Sequence, residues 1–179
     1  GESEQIGDTG ALLESLSTGL PLADDGNVYN VYAEAESAAT SWLFFPPGTH
    51  NISGTFSINT EGLTLMGAGN STFFTSDDDE IITVNEDNVT IANLRAGQTS
   101  GTSGRHPVFI PNEVENTLIR DCRFHDLRLG AIDPGYKTTV VNCHIEDWGN
   151  IANAWEAFSG NLNKSIGFNH CKQSSFRFN

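Results

Sequence analysis

Four residues that can carry a positive charge recur at one position of a short repeat. They are Arg95, Arg123, His144 and Lys172, and each directly follows a small apolar residue. If the repeats stack in register, these side chains form one column on the outside of the molecule, here called the basic column, with neighbours about 5 Å apart. Two unit charges at that separation in water repel by roughly 0.8 kcal/mol, a cost small enough to tolerate without a function. The column predicts a site for an anionic sugar.

Carboxylates and a further base accompany this column, mostly in the segment between residues 122 and 146. The floor of a groove there would hold Arg123, His125, Asp126, His144 and Glu146. Longer loops at 97–104 and from Trp148 onward would flank it, and Trp148 offers a flat face for sugar stacking. The alternative is a face on which Asp121, Asp126 or Glu146 merely neutralises the basic residues.

The groove also raises the question of catalysis. Glycoside hydrolysis needs two carboxyl groups, for which Asp126 and Glu146 are candidates. A lyase would instead use Arg123 or His144 as its base. No motif marks either arrangement. The candidate catalytic residues are Asp126, Glu146, Arg123 and His144, and the candidate substrate-binding residues are Arg95, Arg123, His125, His144, Trp148 and Lys172.

The repeat that would position these residues has the period of a solenoid. Its copies are Ile91-Ala92-Asn93-Leu94-Arg95, Ile119-Arg120-Asp121-Cys122-Arg123, Val140-Val141-Asn142-Cys143-His144 and Phe168-Asn169-His170-Cys171-Lys172. The fourth positions are separated by 28 (94 to 122), 21 (122 to 143) and 28 (143 to 171) residues. Short units rich in β-branched residues, without helical periodicity, favour coils of a parallel β-helix. The sequence Leu65-Met66-Gly67-Ala68 fits loosely as an earlier copy.

Two positions within the repeat have structural roles. An Asn or Asp at the third position tolerates the left-handed conformation that a sharp bend between strands requires. The fourth position would form an internal ladder of Leu94, Cys122, Cys143 and Cys171, which makes the three cysteines small core residues. Parallel side chains in register point the same way, which disfavours a disulfide between Cys122 and Cys143.

Residues 41–69 resemble the opening coil of a known superfamily. The phrases Phe45-Pro46-Pro47-Gly48-Thr49, Ile52-Ser53-Gly54-Thr55 and Leu63-Thr64-Leu65-Met66-Gly67-Ala68-Gly69 look like those of right-handed parallel β-helix proteins of the pectate-lyase-like superfamily. That group includes tailspikes of phages and archaeal viruses. The resemblance spans roughly residues 28–179 and implies an all-β, right-handed parallel β-helix solenoid. Because members include lyases, hydrolases, epimerases and non-catalytic proteins, it does not imply a particular reaction.

The length predicts about six coils with a short N-terminal cap. We expect residues 1–30 to be a lead-in or cap and residues 31–179 to form the β-helix domain, incomplete at its C-terminus. Helical candidates for the cap are 10–16 and 33–39. The acidic turn at 77–80 is expected to be a solvated loop. The alternative is that this turn binds calcium; otherwise no cofactor is expected.

The amino-acid composition bears on the source of the protein and on the ligands that it can bind. Twenty-three acidic residues against nine basic ones give a formal charge of −14, which argues against nucleic-acid binding and favours solubility in strong brine, so we expect a halophilic source. No apolar run is long enough to span a membrane. Four glycosylation sequons, at Asn51, Asn70, Asn88 and Asn163, would fit a glycoprotein.

These features predict an extracellular or virion-surface module that recognises cell-surface or acidic polysaccharides in a structural or adhesive role. The alternative is a polysaccharide lyase or glycoside hydrolase of the pectate-lyase-like or tailspike type. A homo-oligomer, or a place in a larger assembly, is expected because the chain stops in mid-coil.

Overall fold

The chain forms a parallel β-solenoid, which confirms the expected fold class. A computed structural model describes residues 19–76, 80–98, 106–127, 131–146, 166–169 and 172–173. Each coil contributes one strand to each of three sheets. The described residues complete about four turns, fewer than the six expected, and two further rungs add strands to the first and second sheets alone.

The strands are numbered along the chain. The first sheet contains β1 Leu22–Ala23, β2 Trp42–Phe45, β5 Thr64–Gly67, β8 Thr90–Ala92, β11 Leu118–Arg120, β14 Thr138–Val141 and β16 Ile166–Asn169. The second contains β3 Gly48–Asn51, β6 Thr72–Ser76, β9 Arg95–Gln98, β12 Arg123–His125, β15 His144–Ile145 and β17 Lys172–Gln173. The third contains β4 Phe56–Ile58, β7 Ile82–Val84, β10 Val108–Phe109 and β13 Ile132–Asp133.

The core consists of inward side chains stacked in register. On the first sheet the aligned positions are Leu43, Leu65, Ile91, Ile119 and Val140, all fully buried. Parallel pairing repeats about every 4.8 Å, so each aliphatic side chain packs on its equivalents in the neighbouring rungs. Burial of a side chain of this size stabilises the fold by roughly 1.5–3 kcal/mol.

Left-handed residues turn the chain between the first and second sheets. Asn93, Asp121 and Asn142 have φ angles of 55°, 56° and 50°, as expected from the third position of the repeat. A second set precedes strands of the first sheet, where Asn88 and Asn116 have φ angles of 63° and 61°. Asn and Asp adopt this conformation more readily than other residues that carry a Cβ, so the three turns between the first and second sheets recur without glycine. In the second set Gly62 and Lys137 take the same place, with φ angles of 74° and 53°.

The fourth position of the repeat forms the expected internal ladder. Leu94, Cys122 and Cys143 are 1–3% exposed, and both cysteines are free thiols. Cys171 lies outside the described residues. Ala68 does not continue the ladder, because the 3-10 turn Gly69–Ser71 delays β6 and leaves Ala68 exposed. Thr72 takes the inward position instead, fully buried with its hydroxyl near the carbonyl oxygens of Phe45 and Pro46.

A short helix covers part of the first coil. The helix α1, Tyr32–Ala38, confirms the second helical candidate, whereas 10–16 lies outside the described residues. The Tyr32 ring stacks on Phe45 at 5.8 Å and meets Phe56 edge to face at 6.1 Å. No helix in the described ranges is long and apolar enough to cross a membrane.

Asp24 ties the N-terminal turn to the start of β2. Its Oδ2 accepts hydrogen bonds from the hydroxyl and backbone N–H groups of Thr40 and Ser41, at 2.6–3.1 Å. The Thr40 hydroxyl is the largest of the contributions that lower the pKa of Asp24 to about 2, because these bonds favour the carboxylate.

We expect Asn93→Ala to be less stable than Asn93→Gly by about 1 kcal/mol, because only glycine adopts this φ without cost. Both substitutions remove the same side chain, so the difference isolates the backbone conformation. Chemical denaturation of the two variants measures it. Equal midpoints with equal slopes would contradict the role assigned to Asn93.

We expect the hydrogen bonds to Asp24 to persist above pH 4 and to be lost as the pH falls through 2. The sign follows from the depressed pKa, because the carboxylate is stabilised relative to the unfolded chain. The amide resonances of Thr40 and Ser41, followed by NMR against pH, report the transition. Asp24→Asn removes it, and Glu113→Gln, a change at an exposed turn, leaves it unchanged; persistence in Asp24→Asn would assign the transition to another group.

Candidate functional site

The basic column is formed as the repeat predicts. Backbone pairing places Arg95 beside Arg123, Arg123 beside His144 and His144 beside Lys172 along the second sheet. The buried positions Ala96, Phe124 and Ile145 follow Arg95, Arg123 and His144, so these three side chains lie on the outside of the sheet. The same register continues in the other direction to Phe73 of β6.

Two members of the column are held by one carboxylate. Arg123 donates from Nε to Glu146 Oε1 at 2.6 Å, and its Nη2 contacts the same oxygen. His144 Nε2 lies 3.8 Å from Glu146 Oε2. Glu146 therefore lies between two predicted basic residues and neutralises the charge of Arg123. This part of the column matches the neutralised face that was the alternative interpretation.

Arg95 has a different environment. Its guanidinium carbon lies 4.3 Å from the centroid of the Phe73 ring, a cation–π contact. No ion pair involves Arg95 in the described ranges. His125 stacks on the same ring, with centroids 5.1 Å apart and planes inclined at 25°. The Phe73 ring is thus in contact with both the Arg95 guanidinium and the His125 imidazole.

Gly97 provides the space for this arrangement. Thr75, Gly97 and His125 are aligned on adjacent strands of the second sheet. A Cβ at Gly97 would lie 2.5 Å from the His125 carbonyl oxygen and 3.3 Å from Cε1 of its ring. The five residues Phe73, Thr75, Arg95, Gly97 and His125 are called the Gly97 notch below.

The notch contains three buried polar atoms without a hydrogen-bond partner in the described structure. They are Thr75 Oγ1, Arg95 Nε and His125 Nε2. His125 Nδ1 lies 2.7 Å from Asp126 Oδ2, so Nδ1 carries the proton and Nε2 is an acceptor in the neutral ring. An unpaired buried polar atom costs about 1–3 kcal/mol, so three within one small region make the notch a costly part of the structure.

The structure describes only some of the remaining predicted site residues. Asp126 is exposed just after β12 and pairs with His125. Lys172 is in register with His144, but its side chain is not described, and Trp148 and most of the two flanking loops lie outside the described residues. Within the described ranges, no three His, Cys, Asp or Glu residues are grouped to hold a metal ion.

Phe73, Thr75 and Gly97 were missed by the sequence analysis. The 3-10 turn Gly69–Ser71 lengthens that coil, so the spacing of the repeat does not reach β6. Alignment of the inward residues Phe74, Ala96 and Phe124, instead of the turn residues, would have placed Phe73 beside Arg95.

Comparison with known proteins identifies no family. No protein-family model and no curated protein matches the sequence. Among solved structures, the chain is similar to ORF18 of Geobacillus virus E2, with 15% identity and a TM-score of 0.43. The match covers 78% of this chain and 38% of that protein.

We expect Gly97→Ala to destabilise the protein by about 1–3 kcal/mol, because the new methyl group meets the backbone of β12. Chemical denaturation gives the free energy, and the loss of ring-current shifts between Phe73 and His125 locates the damage. Gly26→Ala is the control, because its Cβ meets nothing within 4 Å and its φ of 77° leaves only the backbone cost. An unchanged His125 environment in Gly97→Ala would contradict the packing described.

Proposed function

We propose that this chain is a module of a virion or cell surface that binds a glycan at the Gly97 notch and along the basic column, without cleaving it. The observation that supports this most directly is the group of three unpaired polar atoms around the Phe73 ring. The rest of the proposal follows from the chemistry of those atoms.

The notch offers the functional groups that sugar hydroxyls need. Arg95 Nε is a donor, His125 Nε2 accepts when Nδ1 carries the only ring proton, and the Thr75 hydroxyl is both donor and acceptor. A sugar hydroxyl can likewise donate and accept, and the aromatic ring of Phe73 suits the apolar face of a sugar ring. Because the three atoms are shielded in this conformation, binding requires a neighbouring side chain, such as the flexible arm of Arg95, to move aside.

The charge of the site favours an acidic glycan. Arg123 is neutralised by Glu146, whereas Arg95 contacts an aromatic ring and no carboxylate in the described structure. A carboxylate or sulfate group on the ligand would therefore interact best beside Arg95. The formal charge of −14 repels polyanions from most of the surface, so an acidic glycan would be held only near Arg95, and nucleic acid, charged at every phosphate, is disfavoured.

The solenoid also suits assembly into a surface structure. Stacked coils present outward residues along a straight face, and the sheets of a solenoid end in edge strands that can pair with another chain. We include association with copies of the chain, or with a larger assembly, in the proposal. Light scattering of the purified protein measures the mass of the particle.

Catalysis is the second candidate, because Glu146 lies against both Arg123 and His144. A lyase would use Arg123 or His144 to accept a proton, and of these two the Arg123 guanidinium is engaged by Glu146. Mass spectrometry after incubation with polysaccharide separates the two functions. Intact polymer supports a binding module, unsaturated fragments would establish a lyase, and saturated fragments a hydrolase.

We expect the protein to bind polygalacturonate, alginate or chondroitin sulfate in calorimetric titration, and to bind neutral dextran more weakly. Arg95→Gln and Thr75→Val should each weaken binding about tenfold, equivalent to 1.4 kcal/mol, because each removes one unpaired polar group. Added salt should weaken binding further, since the Arg95 contact is ionic.

Arg120→Gln is the matched control for Arg95→Gln. Arg120 is also basic and partly exposed, but it lies on β11 of the first sheet and pairs with Asp121. Equal affinities for Arg95→Gln and Arg120→Gln would remove the notch as the site. No binding of any polysaccharide would overturn the proposed function as a whole.

A further inference from the structure

A cleft lies between the helix α1 and the strand β4, far along the chain from the Gly97 notch. Its volume is about 320 Å³, and its lining includes Tyr32 and Glu36 of the helix and Ile52 and Phe56 of the first coil. Tyr32 is half-buried, and Ile52 and Phe56 are each 3% exposed, so one side of the cleft is apolar and aromatic. This space is called the cap cleft.

Glu36 is the charged residue of the cap cleft. It is only 4% exposed, and its Oε1 accepts hydrogen bonds from the backbone N–H of Asn59 at 2.8 Å and from the Thr60 hydroxyl at 2.9 Å. In the described part of the chain, no Lys, Arg or His pairs with Glu36, and Oε2 has no hydrogen bond. A buried carboxylate is costly unless a cation accompanies it. Glu36 thus lines the cleft with one carboxylate oxygen that has no hydrogen bond in the described structure.

The aromatic residues favour the same kind of partner. Tyr32 and Phe56 meet edge to face, with ring centroids 6.1 Å apart. Burial raises the pKa of Tyr32, so its phenol stays neutral and its ring remains an uncharged surface for a cation. Aromatic faces attract ammonium groups by roughly 0.5–2 kcal/mol each, more when water is excluded.

We propose that the cap cleft binds a small organic ammonium ion, with the cationic group against Glu36 and its alkyl substituents against Tyr32 and Phe56. A divalent metal ion fits less well, because Glu36 is the one carboxylate among the lining residues and the Ser, Thr and Asn side chains beside it carry no charge to balance such an ion. A volume of about 320 Å³ lies at the lower end of the range for small-molecule sites, so the ligand is compact. The proposal is independent of glycan binding.

The hydrogen bonds of Glu36 also have a structural role, since they hold the turn after β4. That role involves only Oε1. The substitution Glu36→Gln retains a carbonyl oxygen that can accept both bonds, but it removes the negative charge. It therefore separates anchoring of the turn from attraction of a cation.

The test is an NMR titration of the whole chain with choline, monitored at the ring resonances of Tyr32 and Phe56. We expect saturable shifts for choline at about 10 mM or below, and at least tenfold weaker binding of its neutral isostere 3,3-dimethyl-1-butanol. Glu36→Gln should weaken choline binding at least tenfold. Glu34→Gln, a change on the exposed side of the same helix, should not alter it.

Three outcomes would overturn the proposal: no saturable shift with choline, equal binding of the isostere, or unchanged binding by Glu36→Gln. If Glu36→Gln does not fold, Tyr32→Leu replaces it, because leucine keeps apolar burial but removes the ring. Unchanged choline affinity in Tyr32→Leu would then count against the site. Choline should also raise the melting temperature of the unmodified protein, as any ligand of the folded state does.

Discussion

The alignment of the outward side chains depends on the left-handed backbone conformation of the turn residues. Asn93, Asp121 and Asn142 bend the chain in the left-handed region at the same point of three successive coils. Each bend begins the next strand in register, so a side chain two residues later aligns with its equivalent in the neighbouring coil. Because the pleat alternates, a shift of one residue at any turn would exchange the inward and outward sets. The core and the basic column are therefore determined by the same few dihedral angles.

Exact alignment has an electrostatic cost when the aligned residues are alike. Arg95, Arg123 and His144 would repel one another if nothing else contacted them. The structure offsets this in two ways, since Glu146 lies between Arg123 and His144 while the Arg95 guanidinium packs on Phe73. At the stacked turn residues an amide lies beside a carboxylate, so like charges do not meet: Asn142 Nδ2 donates to Asp121 Oδ1 at 2.6 Å. Stacked positions are tolerated where charges alternate or where one partner is neutral.

The sequence was informative wherever function follows from backbone register. The turn residues, the ladder of Leu94, Cys122 and Cys143, and the helix at Tyr32–Ala38 were all predictable, because conformational preference and periodicity act locally. The position of β6 was not, because a 3-10 turn adds residues that no repeat signals. The sequence offered Glu146 as one of three carboxylates that could neutralise the basic residues, but it did not single out the pair with Arg123 or indicate that Arg95 packs on an aromatic ring. These pairings depend on the rotamers of side chains in different coils, and rotamers do not follow the repeat of the sequence.

The Gly97 notch differs from the coils around it in how its polar atoms are satisfied. In the described part of the second sheet, most inward positions are apolar, and each rung packs on the next. At the notch, a missing Cβ lets His125 lean over Gly97 toward Phe73, and three polar atoms remain unpaired. Unpaired atoms lower stability, whereas the ring contacts recover roughly 0.5–1.5 kcal/mol each. Because a solenoid is stabilised by contacts between neighbouring coils, the cost stays local and the other rungs hold the notch in place. In general, polar atoms that a rigid scaffold holds without partners favour binding of a complementary ligand, since the protein need not reorganise its backbone to receive it.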